Sequence, residues 1–145
     1  MPESAKPTRT YLLDTNVFVA AITDPRKETE TLRFLLDLLG RDDVDLVGNE
    51  YWVDEMLRYA EEFRSQTAAW LVSVLMSRTR LVHVDDNYVR VCAQFMGTPD
   101  PADVLHAATC LQERAVLISN DKLFNRIRDR RVIAVWNISK AIRSV

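Results

Sequence analysis

Tyr11-Leu12-Leu13-Asp14-Thr15-Asn16 and Leu117-Ile118-Ser119-Asn120-Asp121 are two short apolar runs that each stop at a carboxylate. Runs of this length, rich in Leu and Ile and bounded by turn-forming residues, read as buried strands. In an open parallel sheet the carboxyl ends of the strands share one crevice, and ligands bind there. Asp14 and Asp121 are therefore expected at the same edge of one sheet.

Three more apolar runs, at 45–48, 81–84 and 132–136, join those at 11–14 and 115–119 to make five expected strands. Helical repeats alternate with them. Leu32, Leu35, Leu36 and Leu39 mark a helix over 28–39, with Gly40 placed to cap its carboxyl end. Val53, Met56, Leu57, Ala60 and Phe63 mark another over 50–63, and further helices are expected over 67–76, 88–95 and 102–111. Asp100-Pro101 supplies a capping acid and a proline at the first helical position. Strands alternating with helices are the pattern of a parallel sheet covered on both faces.

At 145 residues, 48% hydrophobic and 28% charged, with 3 Gly and 5 Pro, the chain has the composition of one compact domain. A chain of this size buries roughly two-thirds of its unfolded surface. Residues 1–9, polar and proline-containing, read as a flexible lead-in, and 10–145 as a single domain without internal repeats. No apolar stretch approaches the roughly 20 residues of a membrane span. Cys92 and Cys110 lack metal or redox spacing and sit among apolar neighbours, as buried thiols of a cytoplasmic protein would.

Two more acids can join the crevice. Glu55 falls early in the helix after the second strand, and a right-handed crossover returns that end of the helix to the carboxyl edge. Asp103 lies in the first turn of the helix begun by Asp100-Pro101, and needs an extra helix laid across the edge to bring it in. Four clustered carboxylates repel one another and raise some of their own pKa values, so a cation is required. An all-oxygen site suits Mg²⁺ or Mn²⁺, which lower the pKa of a bound water and neutralise charge on a phosphodiester. Hydrolysis of a nucleic-acid backbone is the matching reaction.

Leu12-Leu13-Asp14-Thr15-Asn16-Val17, Asp54-Glu55-Met56-Leu57, Asp103-Val104-Leu105-His106-Ala107-Ala108 and Leu117-Ile118-Ser119-Asn120-Asp121 resemble, in order, the four signatures of the PIN-domain nucleases. The resemblance spans nearly the whole chain. It implies an α/β fold, a three-layer α/β/α sandwich around a central, mostly parallel five-stranded sheet, and a Mg²⁺- or Mn²⁺-dependent endoribonuclease. It makes Asp14, Glu55, Asp103 and Asp121 the catalytic and metal-site acids, with Asn16 and Ser119 supporting them through hydrogen bonds. Small bacterial and archaeal members that resemble VapC are toxins restrained by an antitoxin, so RNA, an antitoxin protein and a second copy of the chain are the implied partners. A PIN fold without catalysis, binding RNA or protein, is the alternative.

Simpler roles compete at each position. Asp121 can cap the helix beginning near Lys122, and Asp103 can form a capping box with Asp100. Periodicity does not choose Glu55 over Glu50 or Asp54. His106, one turn after Asp103, reads more readily as a packed or hydrogen-bonded histidine than as an acid–base partner, and His83 has no assigned role. Trp52, Tyr59 and Phe63 read as core or as an interface stripe for a dimer. Lys122, Arg126 and Arg128 are candidate RNA contacts, since the formal charge of −2 becomes +2 once the four acids are set aside. A phosphorylation receiver would want paired acids at the first strand and a lysine ending the last, where Trp136-Asn137 stands, and an aspartyl phosphatase would want Asp where Asn16 is.

Overall fold

The computed structural model describes residues 8–23, 29–97 and 100–145. Five strands form one wholly parallel sheet in the order β3-β2-β1-β4-β5, namely Thr79–Leu81, Val44–Gly48, Arg9–Leu13, Val116–Ile118 and Ala134–Trp136. From β1 the chain steps outward to β2 and β3, then returns to pair β4 on the other side of β1. Right-handed crossovers in the two opposite directions put the intervening helices on opposite faces. Accordingly α1 (Thr15–Ile22), α2 (Glu30–Leu39), α3 (Glu50–Phe63) and α4 (Gln66–Arg78) pack among themselves, while α5 (Asp86–Phe95) packs on α6 (Pro101–Glu113) and α7 (Asn125–Asp129). A single 3₁₀ turn, Lys122–Phe124, precedes α7, and α8 (Ile138–Ser144) packs on β5. The expected three-layer α/β arrangement is present. No helix among the described residues is long and apolar enough to cross a membrane.

The central strand explains the near-unbroken apolar runs. Tyr11 and Leu12 are fully buried, as are Leu117 and Ile118 beside them, because helices cover both faces. Helix ends follow local chemistry. Asp100 Oδ1 accepts from the Ala102 amide at 2.9 Å with Pro101 at the first helical position, and the Gly40 amide donates to the carbonyls of Leu36 and Asp37. Thr29 caps α2 through the Leu32 amide; the expected start at residue 28 lies outside the described residues, as does most of the expected lead-in. Arg9, the last residue of that lead-in, is instead the first of β1, where its amide neighbours Asp43 and its Cα pairs with Val44.

The expectation differs most at β3 and α1, and α8 was not expected. The third strand is Thr79–Leu81 and not 81–84, since β3 is an edge strand and Leu81, 56% exposed, faces no second layer. Apolar alternation is a poor guide to an edge. A helix, α1, starts directly after Asp14, where Thr15, Val17 and Val19 favour a strand by β-branching. Burial of Val17, Phe18, Ala21 and Ile22 overrides that preference.

Gly48 ends β2 under the Trp52 indole. A Cβ there would stand 3.0 Å from two ring atoms of Trp52 and 3.1 Å from the Thr79 methyl. Trp52 is 1% exposed and cannot swing away, because its Nε1 donates to the Leu13 carbonyl at 2.8 Å. Gly48→Ala is expected to lower stability by about 1–3 kcal/mol through overpacking, read from the midpoint of urea unfolding; an unchanged midpoint would show that the ring can shift.

Candidate metal centre

Parallel pairing of β1 with β4 brings their carboxyl ends side by side, with Leu13 opposite Ile118 and the Asp14 amide donating to the Ile118 carbonyl at 3.0 Å. Asp14, 6% exposed, thereby lies next to Ser119. The Ser119 hydroxyl donates to Asp14 Oδ2 at 2.6 Å and its oxygen accepts from Asn16 Nδ2 at 3.2 Å and from the Asp121 amide at 3.0 Å. One hydroxyl thus uses its single proton and both lone pairs. It ties together the ends of both strands and the start of α1. Asn16 Oδ1 is buried without a partner.

Glu55 reaches the same place from α3. Its Oε2 accepts from the Thr15 hydroxyl and its Oε1 meets His106 Nε2, each at 2.9 Å. The histidine's tautomer follows from its other nitrogen. Asn49 caps α3 by accepting the Trp52 amide on Oδ1, so its Nδ2 faces Thr109 Oγ1 at 3.0 Å and His106 Nδ1 at 3.1 Å. Nδ2 is a donor, so Nδ1 accepts and the proton sits on Nε2, pointing at Glu55. His106 itself is fully buried.

Ligand atoms of Asp14, Glu55 and His106 lie within 4.8 Å of one another. Since His106 Nε2 already donates to Glu55, the donors available to an ion are the carboxylate oxygens. That all-oxygen set suits a hard divalent cation.

The remaining expected residues divide. Asp103 is half-buried in the first turn of α6, close enough to Asp14 and Asp121 to feel their charge. Its carboxylate forms no capping box; Asp100 alone caps the helix. Asp121 is exposed and caps the 3₁₀ turn, with Oδ1 accepting the Leu123 amide at 3.1 Å and Oδ2 left open. Lys122 and Arg128 border a cavity that also contains Ser119 and Asp121, whereas the Arg126 guanidinium lies beside Gly97. Trp52, read as core or interface, is core. Asn49, Thr15 and His106 join the site without a sequence expectation for it; a histidine one turn after Asp103 and an asparagine before α3 are the signals the sequence offers.

Burial raises the pKa of Asp14, partly offset by the Ser119 hydrogen bond. Burial also raises that of Asp103, reinforced by Asp100, Asp14 and Asp121, to about 6. For Glu55, burial pushes upward, but hydrogen bonds from His106 and Thr15 and the charge of Arg58 outweigh it and the net shift is downward.

A family model described as PIN domain matches residues 11–130. No curated protein matches the chain. Among solved structures, VapBC2 from Rickettsia felis, bound to a DNA fragment from their promoter, is similar at 18% identity and TM-score 0.62, over 88% of this chain and 98% of that one. VapBC-1 from nontypeable Haemophilus influenzae is similar at 19% identity and TM-score 0.60, over 90% and 98%. PAE2754 from Pyrobaculum aerophilum gives 13% identity and TM-score 0.59, over 94% and 96%. At such identities the likeness is one of fold.

An acid whose pKa is higher folded than unfolded binds its proton more tightly in the native state, so native stability falls as pH rises between the two values. For Asp103 that window runs from its ordinary 3.8 to about 6. In metal-free protein the melting temperature is expected to fall as pH rises through this window, and Asp103→Asn should flatten the decline. Glu55 acts oppositely and only below its ordinary 4.5. Thermal melts in EDTA from pH 4 to 7 check this; an identical slope in Asp103→Asn would contradict it.

Proposed function

The chain belongs to the PIN domain family, and from that membership we propose that it is a Mg²⁺- or Mn²⁺-dependent endoribonuclease. One observation supports this above the rest. Carboxylates from β1 and α3 are held within 4.8 Å, each by its own hydroxyl or imidazole donor, at the carboxyl edge of a parallel sheet. Like charges held together this way cost stability unless a cation offsets them.

Asp14 and Glu55 would hold the ion, with Asp103 and Asp121 adding oxygens directly or through water. A bound divalent ion supplies a water of lowered pKa and neutralises charge on the scissile phosphate. The chain's own groups set the geometry. Ser119 and Asn16 support Asp14, and Thr15 and His106 fix both oxygens of Glu55. Asn49 keeps His106 in the tautomer that donates to Glu55, and a bound cation would favour the charged form of Asp103 against the burial and neighbouring acids that raise its pKa to about 6. No side-chain nucleophile is invoked; Cys92 and Cys110 are buried.

The resemblance to VapC-like proteins, together with a fold like that of the VapBC structures, supports a cytoplasmic toxin restrained by an antitoxin protein. A second copy of the chain is a further proposed partner, for which the exposed Leu57 and Phe63 of α3 and Trp70 of α4 are available. A monomeric mass by light scattering would count against it.

Cleavage of a mixed single-stranded RNA is expected in Mg²⁺ and not in EDTA. Asp14→Asn should abolish it with the circular dichroism spectrum unchanged. His106→Ala should lower it about 10–100-fold, the usual cost of losing a group that orients a metal ligand. Full cutting by Asp14→Asn, or by protein in EDTA, would refute the assignment; metal binding with no turnover would favour the non-catalytic binding module.

A further inference from the structure

A cavity of about 450 Å³ opens beside the acids, walled by Ser119, Asp121, Lys122, Asn125 and Arg128 together with Asn120 and Asn137. It shares Ser119 and Asp121 with the candidate metal centre. A second hollow of about 340 Å³ shares Arg128 and Val135 with it and adds Arg131 and Lys140 along the β5 edge. Adjoining at Arg128 and Val135, the two hollows are taken together as one channel along the β5 side.

Apart from the Asp121 carboxylate, the polar lining of the channel is rich in donors. Asn120 Oδ1 already accepts the Ile138 amide at 2.9 Å and Asn137 Oδ1 the Lys140 amide at 2.8 Å, so each carboxamide oxygen is engaged by backbone while its N–H groups stay available to a ligand. Lys122 adds an ammonium. Arg128 spends Nε and one terminal nitrogen on its neighbour Asp129 and keeps the other terminal nitrogen. Amide N–H groups beside cations suit an anionic acceptor such as phosphate. The cavity on the opposite flank of the edge has the wrong chemistry, since it carries Glu50 and Asp86 among mostly apolar side chains. That contrast favours a polyanion on the β5 side over the β3 side.

We propose that this channel seats the phosphodiester backbone of the single-stranded RNA segment flanking the cut, with Lys122, Asn125, Arg128, Arg131 and Lys140 as its contacts. The proposal rests on the ribonuclease reading for the identity of the polymer. Single strands are where RNA bases and backbone are separately accessible. Arg126, beside Gly97, lies outside the channel and serves as the internal control.

The test is binding without chemistry. A fluorescently labelled single-stranded RNA is titrated with the full-length protein in EDTA and followed by anisotropy at several salt concentrations. Lys122→Ala/Arg128→Ala is expected to weaken binding about tenfold or more and to make the slope of log K against log salt shallower by about 1.4, two phosphate contacts at about 0.7 each. Asn125→Ala should weaken binding with the slope unchanged, and Arg126→Ala should change neither. Absence of RNA binding by the wild-type chain, or equal losses in Arg126→Ala and the double variant, would overturn the channel. Channel-dependent binding by a protein that never cuts RNA in Mg²⁺ would leave the channel standing and sink only the nuclease reading.

Discussion

Side-by-side pairing of β1 and β4 is the constraint from which the site follows. The chain leaves the sheet centre in one direction, comes back, and continues in the other, so the carboxyl ends of these two strands flank the point where the topology reverses. Helices departing to opposite faces leave a crevice between them there. Asp14 and Ser119 are the residues at the reversal, 2.6 Å apart through hydroxyl and carboxylate. Without parallel pairing in this register, Asp14 and Ser119 would not meet, and the channel beside Asp121 would lose its inner wall.

Around that pair, each carboxylate is positioned by a donor from a different element. Glu55 is held by Thr15 of α1 and His106 of α6, and His106 in turn by Asn49, the cap of α3. The Trp52 indole links the same helix to the Leu13 carbonyl, one residue before Asp14. Rotamers of both acids are thus locked by partners that are themselves locked, as a metal site requires. The opposing shifts of Glu55, downward, and of Asp14 and Asp103, upward, show where hydrogen bonding outweighs desolvation and where it does not. A divalent ion acts in the same direction on all three, by favouring their charged forms.

Strand ends were legible in the sequence because a doubly covered parallel strand is apolar throughout and stops abruptly at a polar residue. Tyr11-Leu12-Leu13-Asp14 and Leu117-Ile118-Ser119 carry that signal, and both acids or their neighbours lie where topology required. Edge and local-override elements were not legible. β3 has one exposed flank, so apolarity misplaced it onto 81–84, and α1 is a helix only because tertiary burial overcomes Thr15, Val17 and Val19. α6 runs two residues past its expected end, since it closes at Arg114 in a left-handed conformation, φ 54°, where no glycine announces the stop. The Asn49–His106–Glu55 chain joins residues 57 and 51 apart in sequence, and no local pattern can show it. Nor does spacing reveal that Lys122 and Arg128 border the cavity beside Asp121 while the Arg126 guanidinium lies at Gly97.

The central claim, that Asp14 and Glu55 are held together to bind a hard divalent ion, is tested most directly by titrating Mn²⁺ into the protein and following the free-ion signal by electron paramagnetic resonance. Loss of free Mn²⁺ in the wild-type chain, competed away by Mg²⁺ and abolished in Asp14→Asn, is the predicted result. Mn²⁺ that stays free in the wild type, or binds equally in Asp14→Asn, would contradict the account.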